Sequence, residues 1–190
     1  MSYEGTNFMG QKSKLEDVAC CAGNEIALFA DEMGIDQAWF RYPDHIAVKC
    51  SDTSHYESER AVASEECVEL TEIAMQGRRI ATVEFRRAIG MKPFGLIRLV
   101  ELMEPRPEKV GHDAVGIDHV EFSHPQMSAF ADVLKSSAVR YEEQSNESHN
   151  WVSFELNDGL EVKLNDLSLA DTIEAELARG DLEIIKSVRR

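Results

Sequence analysis

Basic residues are scarce in this chain. Lys and Arg number 20 against 35 Asp and Glu, which leaves a formal net charge of −15. Nucleic-acid binding needs a basic face, and anionic membrane surfaces attract basic segments, so neither partner is expected. Long apolar runs are missing too: none approaches the ~18 residues that span a bilayer. The first residues lack the basic start and apolar stretch of a secretory signal, and a cytoplasmic location is the expectation. Cysteine occurs only at positions 20, 21, 50 and 67. Two of these are adjacent, which fits neither a zinc ribbon nor a redox motif, so reduced packing thiols are expected. Hydrophobic residues make up 43% of the 190 residues, enough for a real core. One domain spanning 1–190 is the expectation.

What the chain does have is a phrase that occurs twice. Residues 44–48 read Asp-His-Ile-Ala-Val, and residues 118–122 read Asp-His-Val-Glu-Phe. Each has the form of a strand and is followed by a polar stretch and a helical pattern. Each half then carries a second apolar strand with a carboxylate: Glu101 in Leu-Val-Glu-Leu-Met and Glu161 in Gly-Leu-Glu-Val-Lys-Leu. The order His, Glu, His, Glu predicts a duplicated β-rich module with a metal site between the halves. Two imidazoles and two carboxylates can hold a divalent transition metal and leave positions open for substrate.

The rest of the chain supplies the frame. Residues 1–12 are polar and read as disordered. An N-terminal helical segment is expected over 14–36. Within it Leu15, Val18, Ala19, Ala22, Ile26, Phe29 and Met33 recur at helical spacing, and Gly34 is the stop. A first module over 40–105 would hold a strand at 44–50, a helix at 56–73, and strands at 79–87 and 96–103 joined by a turn from Gly90 to Gly95. A linker over 104–113 follows. A second module over 115–166 would hold a strand at 117–122, a helix after Pro125, and a hairpin of 150–156 and 159–165 across Asn157-Asp158-Gly159. A final helix is expected over 168–188, with Ser168 as its N-cap and Asp171 in the manner of a capping box.

Strand alternation tells which of these side chains could meet. His45, His119 and Glu161 fall opposite the apolar residues of their strands, and so point away from the face that packs on helices. Glu101 instead shares its face with Ile97, Leu99 and Met103, where a carboxylate must be paired or cation-bound. Alone, a strand histidine is more often a hydrogen-bonded structural residue than a ligand, and Glu161 alone is an ordinary surface acid. The matched placement in two modules is what favours a site. His55, His112, His124 and His149 lie in polar loops or helix starts and are expected to face solvent. Glu84 falls on the face of Thr82, where it could line the hollow, although a surface acid is the plainer reading. Arg78 and Arg79 could bind an anionic substrate or simply be solvated. Trp151 could wall the cavity, but core packing is favoured.

These residues resemble the vicinal oxygen chelate superfamily, which includes glyoxalase I, methylmalonyl-CoA epimerase and extradiol dioxygenases. Asp44-His45-Ile46, Gly77-Arg78-Arg79-Ile80, Val100-Glu101-Leu102 and Asp118-His119-Val120-Glu121 are similar most of all to its YecM-type branch. The resemblance covers roughly residues 14–170. It implies an α+β fold of paired βαβββ modules forming a cupped mixed sheet, with N- and C-terminal helices added. It implies a divalent metal (Zn, Ni, Mn, Co or Fe) held by His45, Glu101, His119 and Glu161, the ligands sitting on the first and last strands of each module.

The leading functional expectation is a metal-dependent enzyme acting on a small substrate with adjacent oxygens. Isomerase, epimerase or lyase-like chemistry would use Glu101 or Glu161 as the proton carrier. A dioxygenase would more usually show two histidines and one carboxylate. Glu84 and Arg78 would be substrate-binding residues. The alternatives are a small-molecule sequestering protein of the same fold, since the superfamily also hosts proteins that bind drugs without reacting, and a structural relative whose His–Glu pairs are merely hydrogen-bonded. With both modules in one chain, a monomer or a homodimer is expected, the dimer not being required for the site.

Overall fold

Two periodicities alternate along the chain and build the frame. Apolar residues at three- and four-residue steps make helices, and apolar residues at two-residue steps make strands with one face buried. A computed structural model describes residues 12–75, 77–110, 115–147, 149–157 and 159–189. Its elements in order are α1 (Lys12–Met33), a 3-10 turn (Gln37–Phe40), β1 (Pro43–Lys49), α2 (Thr53–Glu66), β2 (Cys67–Met75), β3 (Arg78–Met91) and β4 (Gly95–Met103). A second 3-10 turn (Pro107–Lys109) leads to β5 (Gly116–Ser123), α3 (Met127–Ser136), β6 (Tyr141–Ser145), β7 (Asn150–Glu155), β8 (Glu161–Asn165), α4 (Leu169–Arg179) and β9 (Glu183–Arg189).

The described strands form one mixed sheet in the order β6-β7-β8-β5-β1-β4-β3-β2-β9. It resolves into two copies of a βαβββ unit, lying as β1-β4-β3-β2 and as β5-β8-β7-β6. In each copy the first strand runs parallel to the last, and antiparallel pairing joins the others. The copies meet where β1 pairs antiparallel with β5. This is the α+β, paired βαβββ fold that the family resemblance implied.

One face of the sheet carries the main core. Ile46, Val48, Val120, Phe122, Val162 and Leu164 are buried there with Leu15, Ala19, Ala22 and Ile26 of α1 and Phe130 and Leu134 of α3. Phe40 is fully buried among Phe122, Phe130 and Phe94, at ring separations of 5.2, 5.7 and 5.6 Å. Gly23 lets α1 approach the β3–β4 turn: a Cβ there would collide with the Lys92 carbonyl oxygen. On the outer face Arg79 pairs with Glu57 and with both oxygens of Glu104, each at 2.9 Å, and Tyr56 donates to the buried Glu72 at 2.9 Å. Arg79 is therefore structural. These carboxylates, not a ligand, take up its charge.

Several sequence expectations need correction. The helix expected over 56–73 ends at Glu66, and β2 follows at once. No glycine or proline separates them, and Val68 and Leu70 continue the helical spacing. Pairing with β3 on one side and β9 on the other decides for strand. The helix expected over 168–188 stops at Arg179, where Gly180 takes a left-handed conformation (φ 80°); the remaining residues form β9 at the sheet edge. Ser168 does cap α4, accepting from the Asp171 amide at 3.2 Å. β6 had no sequence signal, because an edge strand of Tyr-Glu-Glu-Gln-Ser buries almost nothing. The expected disorder of 1–12 and the exposure of His112 fall outside the described residues, Lys12 excepted, which begins α1. His124, expected in solvent, is 5% exposed and packs on Trp39 at 4.7 Å. Trp151 is not in the core; it is half-buried and stacks on His149 at 4.9 Å. All four cysteines are free, Cys50 and Cys67 buried as expected and Cys21 exposed.

Candidate metal centre

The strand register determines which inner-face side chains are neighbours. β1 lies at the middle of the sheet, and its Ala47 stands level with Glu101 of β4 on one side and His119 of β5 on the other. His119 in turn is level with Glu161 of β8. Two residues back along β1, His45 is level with Leu99 and with Glu121, and Glu121 with Lys163. His45, Glu101, His119 and Glu121 thus surround Ala47, whose methyl group leaves the space over it to their longer side chains.

Glu101 proves to belong to this face. Met103 clusters with Ala47, Ile73 and Ile80 on the inner side, while Ile97, beyond a β3 bulge between Glu84 and Ile89, packs into the main core. The expectation that Glu101 shares an apolar packing face with Ile97 is corrected by this bulge.

The polar atoms converge. His45 Nε2 lies 3.6 Å from Glu101 Oε2, and Glu121 bridges the two histidines, with Oε1 3.8 Å from His45 Nδ1 and Oε2 3.9 Å from His119 Nε2. Asn165 Nδ2 donates to Glu121 and holds it in place. The rings of His45 and His119 stand edge to face at 5.6 Å. Each ring has its own aspartate: Asp44 Oδ2 is 3.0 Å from His45 Nδ1, and Asp118 Oδ2 is 3.0 Å from His119 Nδ1. An aspartate accepting at Nδ1 leaves Nε2 as the free donor atom for a metal. The repeated Asp-His phrase therefore encodes a histidine together with its positioning carboxylate. Asp44 Oδ2 also accepts the Leu169 amide at 2.8 Å, tying the first turn of α4 to the site.

All four central residues are at least nine-tenths buried, and burial sharpens their electrostatics. Burial alone would lower His45, but Glu121, Asp44 and Glu101 outweigh it and push the imidazole up to about 9. His119 goes the other way: burial, then Lys163 and His45, pull it down to about 3 against the Asp118 hydrogen bond. Burial, with Glu101 and Asp44, pushes Glu121 up to about 7 despite the attraction of His45. Burial would raise Asp118, but hydrogen bonds from His119 and Lys49 hold it well below the carboxylate range. Buried carboxylates in excess of their cationic partners are costly unless a cation joins them. Donor atoms sharing an ion at about 2.0–2.2 Å stand about 3–4 Å apart, and the two carboxylate contacts made to Nε2 atoms, Glu101 with His45 at 3.6 Å and Glu121 with His119 at 3.9 Å, fall in that span. The residues present therefore fit a divalent metal.

Of the four expected ligands, His45, Glu101 and His119 come together and Glu161 does not join them. Its side chain is 38% exposed, and it pairs with Lys163 at 3.5 Å. It lines a separate open hollow with Lys49, Asp118 and Tyr141. It does lie near enough to His119 and Asp118 for those three to form a peripheral group. The central place falls to Glu121, which with His45 and His119 offers donor atoms within 4.8 Å of one another. The sequence contained the signal, since His119 and Glu121 are two apart and share a face. The repeat hid it, because the first module has Ala47 where the second has Glu121.

A cavity of about 600 Å³ adjoins the centre, walled by Thr82, Glu84 and Leu99 of the sheet and by Ala170, Ile173 and Leu177 of α4. Thr82 is the rung partner of Glu101, and Leu99 that of His45. Glu84 thus stands on a cavity wall. Arg78 is at the mouth of the β2–β3 hairpin, two rungs beyond Ile80 and Met103's side of the sheet, and is not a wall residue of this cavity.

The family model described as YecM protein matches residues 20–176. Among solved structures, a structural-genomics protein, EC4020, superposes with a TM-score of 0.62 at 18% identity, over 85% of this chain and 92% of that one. Methylmalonyl-CoA epimerase from Mycobacterium tuberculosis reaches 0.45 at 17% identity, over 65% of this chain and 86% of that chain. The Mn(II)-bound glyoxalase from Novosphingobium aromaticivorans reaches 0.41 at 14% identity, over 67% of this chain and 40% of that chain. No curated protein matches.

Proposed function

We propose, from the premise that this chain belongs to the YecM protein family, that it is a divalent-metal-dependent enzyme of the vicinal oxygen chelate type. Its substrate would be a small molecule carrying two adjacent oxygens. The observation that carries the reading is the buried convergence of His45, His119, Glu101 and Glu121, with each imidazole held at Nδ1 by its own aspartate. Such a donor set suits Zn, Ni, Mn, Co or Fe. A bound metal there would supply Lewis-acid stabilisation of a developing oxyanion.

The chain's own residues do the rest. Asp44 and Asp118 orient the imidazoles, and Asn165 orients Glu121. Of Glu101 and Glu161, Glu101 is the better placed for proton transfer, because its rung partner Thr82 lines the cavity. Glu161 faces a different hollow. α4 forms one wall of the cavity, opposite Thr82, Glu84 and Leu99 of the sheet. A carboxylate beside a substrate cavity suits proton transfer, as in an isomerase, epimerase or lyase.

The test is elemental analysis of the purified protein, followed by turnover assays on α-ketoacids, hemithioacetals and catechols. We expect about one divalent ion per chain, lost in His119→Ala with the circular dichroism spectrum retained. Full metal content in a folded His119→Ala protein would overturn the assignment. Metal without turnover on any class would leave sequestration of a small molecule as the function.

A further inference from the structure

We infer that the cavity beneath α4 selects a cationic, amphipathic small molecule, such as a primary amine with an apolar body, and rejects anionic ligands. This rests on the reading above only for where the ligand's oxygens go; the charge selection stands on the cavity itself. Three carboxylates line it, Glu69, Glu84 and Glu174, against one cation, Arg189. Arg189 is already committed to Glu69 at 2.9 Å. Glu84 and Glu174 are thus left without a basic neighbour on the cavity wall. They come from opposite sides, one from β3 and one from α4, so a ligand between them meets negative charge on both faces.

A second observation marks the same space as a ligand site. Thr82 is 9% exposed, its hydroxyl has no hydrogen-bond partner, and it lines the cavity beside Glu101. A buried hydroxyl without a partner is costly and invites a polar atom from a ligand. Leu99, Ile173 and Leu177 supply the apolar part of the lining. The arrangement therefore offers an oxygen-binding end at Thr82 and the metal centre, an apolar middle, and an ammonium-binding end at Glu84 and Glu174. The chain's net charge of −15 adds to the bias against anions.

The experiment is calorimetric titration with three catechols that differ only in their side-chain charge: dopamine, 4-ethylcatechol and 3,4-dihydroxyphenylacetate. The full chain is used after loading with Mn²⁺. Dopamine should bind about tenfold more tightly than the anion or better, as two partly exposed carboxylates allow, with 4-ethylcatechol between. Glu84→Gln combined with Glu174→Gln should narrow that gap, as should raising the salt. A parallel titration of metal-free protein with phenethylamine and phenylacetate, which lack adjacent oxygens, separates the two readings. A preference for the amine there, in a protein that takes up no metal, sustains the charge selection while the metal reading fails. Metal uptake with equal affinity for all three catechols, or a preference for the anion, overturns the charge selection. Failure of every probe to bind overturns it as well.

Discussion

The two halves of the molecule share a topology and an Asp-His start, yet they treat their histidines in opposite ways. His45 is pushed up to about 9 and His119 down to about 3. Both are buried, so burial is not the difference. His45 faces Glu101 and Glu121, whereas His119 has Lys163 near its Nδ1 at 3.4 Å. The halves differ in their hollows too. The first lies under α4 beside β9 and is largely apolar with an acidic end. The second is mostly polar and lined by Lys49, Arg140, Glu142 and Glu161. Duplication supplies equivalent backbone positions, and neighbouring side chains then assign them different chemistry.

The sharpest way to break this comparison is to exchange the roles of the two second-half carboxylates. Glu121→Ala should reduce metal affinity more than about 100-fold, as loss of a direct ligand exceeds the 10–100-fold cost of losing an outer partner. Glu161→Ala should change it less than about threefold. Metal titration of both variants decides, and equal losses would return Glu161 to the centre.

The two aspartates come next. Asp44→Asn and Asp118→Asn should each cost about 10–100-fold in metal affinity, because an amide holds the imidazole tautomer less well than a carboxylate. Asp44→Asn should also loosen α4, since Asp44 accepts the Leu169 amide. Hydrogen exchange at residues 169–172 should rise in that variant and stay put in Asp118→Asn.

The α1 helix meets the two halves differently: Phe29 stacks on Phe154 of the second at 5.2 Å, while Gly23 touches the β3–β4 turn of the first. Ala has the better helix propensity by about 1 kcal/mol, but its methyl group meets a backbone carbonyl that cannot rotate away. Gly23→Ala should therefore destabilise by about 1–3 kcal/mol in denaturant titration. A stabilised variant would show that the turn yields freely.

The smallest effect concerns the outer face of the first half. Hydrogen bonds from Arg79, chiefly, hold Glu104 down at about 2. A carboxylate whose folded value lies below its ordinary one stabilises the fold above about pH 4.5 and loses that contribution as pH falls through 2. Glu104→Gln should flatten the acid limb of the stability curve between those values and leave the alkaline limb alone.

The placement of the candidate metal-site residues shows what the chain makes countable. His45 and His119 are on strands whose parity and order can be counted, and local alternation decides which way each side chain points; Glu101 needed the β3 bulge as well. Glu121 was countable in the same way, but pattern matching with the last strand favoured Glu161. Deciding between them needs the rung positions, because β5 borders the central strand and β8 lies one strand farther out. The apolar spacing of β2 and β9 is compatible with helix as well as strand over so few residues. Pairing with each other, which joins residues more than a hundred positions apart, settles it.

Local sequence determined the doubled module, its turns, the capped start of α4 and the two inward-facing histidines, because each rests on side-chain period and backbone preference within a few residues. Folding in three dimensions assigned Glu121 its place, turned Glu101 inward past the β3 bulge, and laid α4 over Thr82 and Glu84. Those outcomes depend on register between strands and on which carboxylates share a buried space, and both arise from contacts that no local pattern contains.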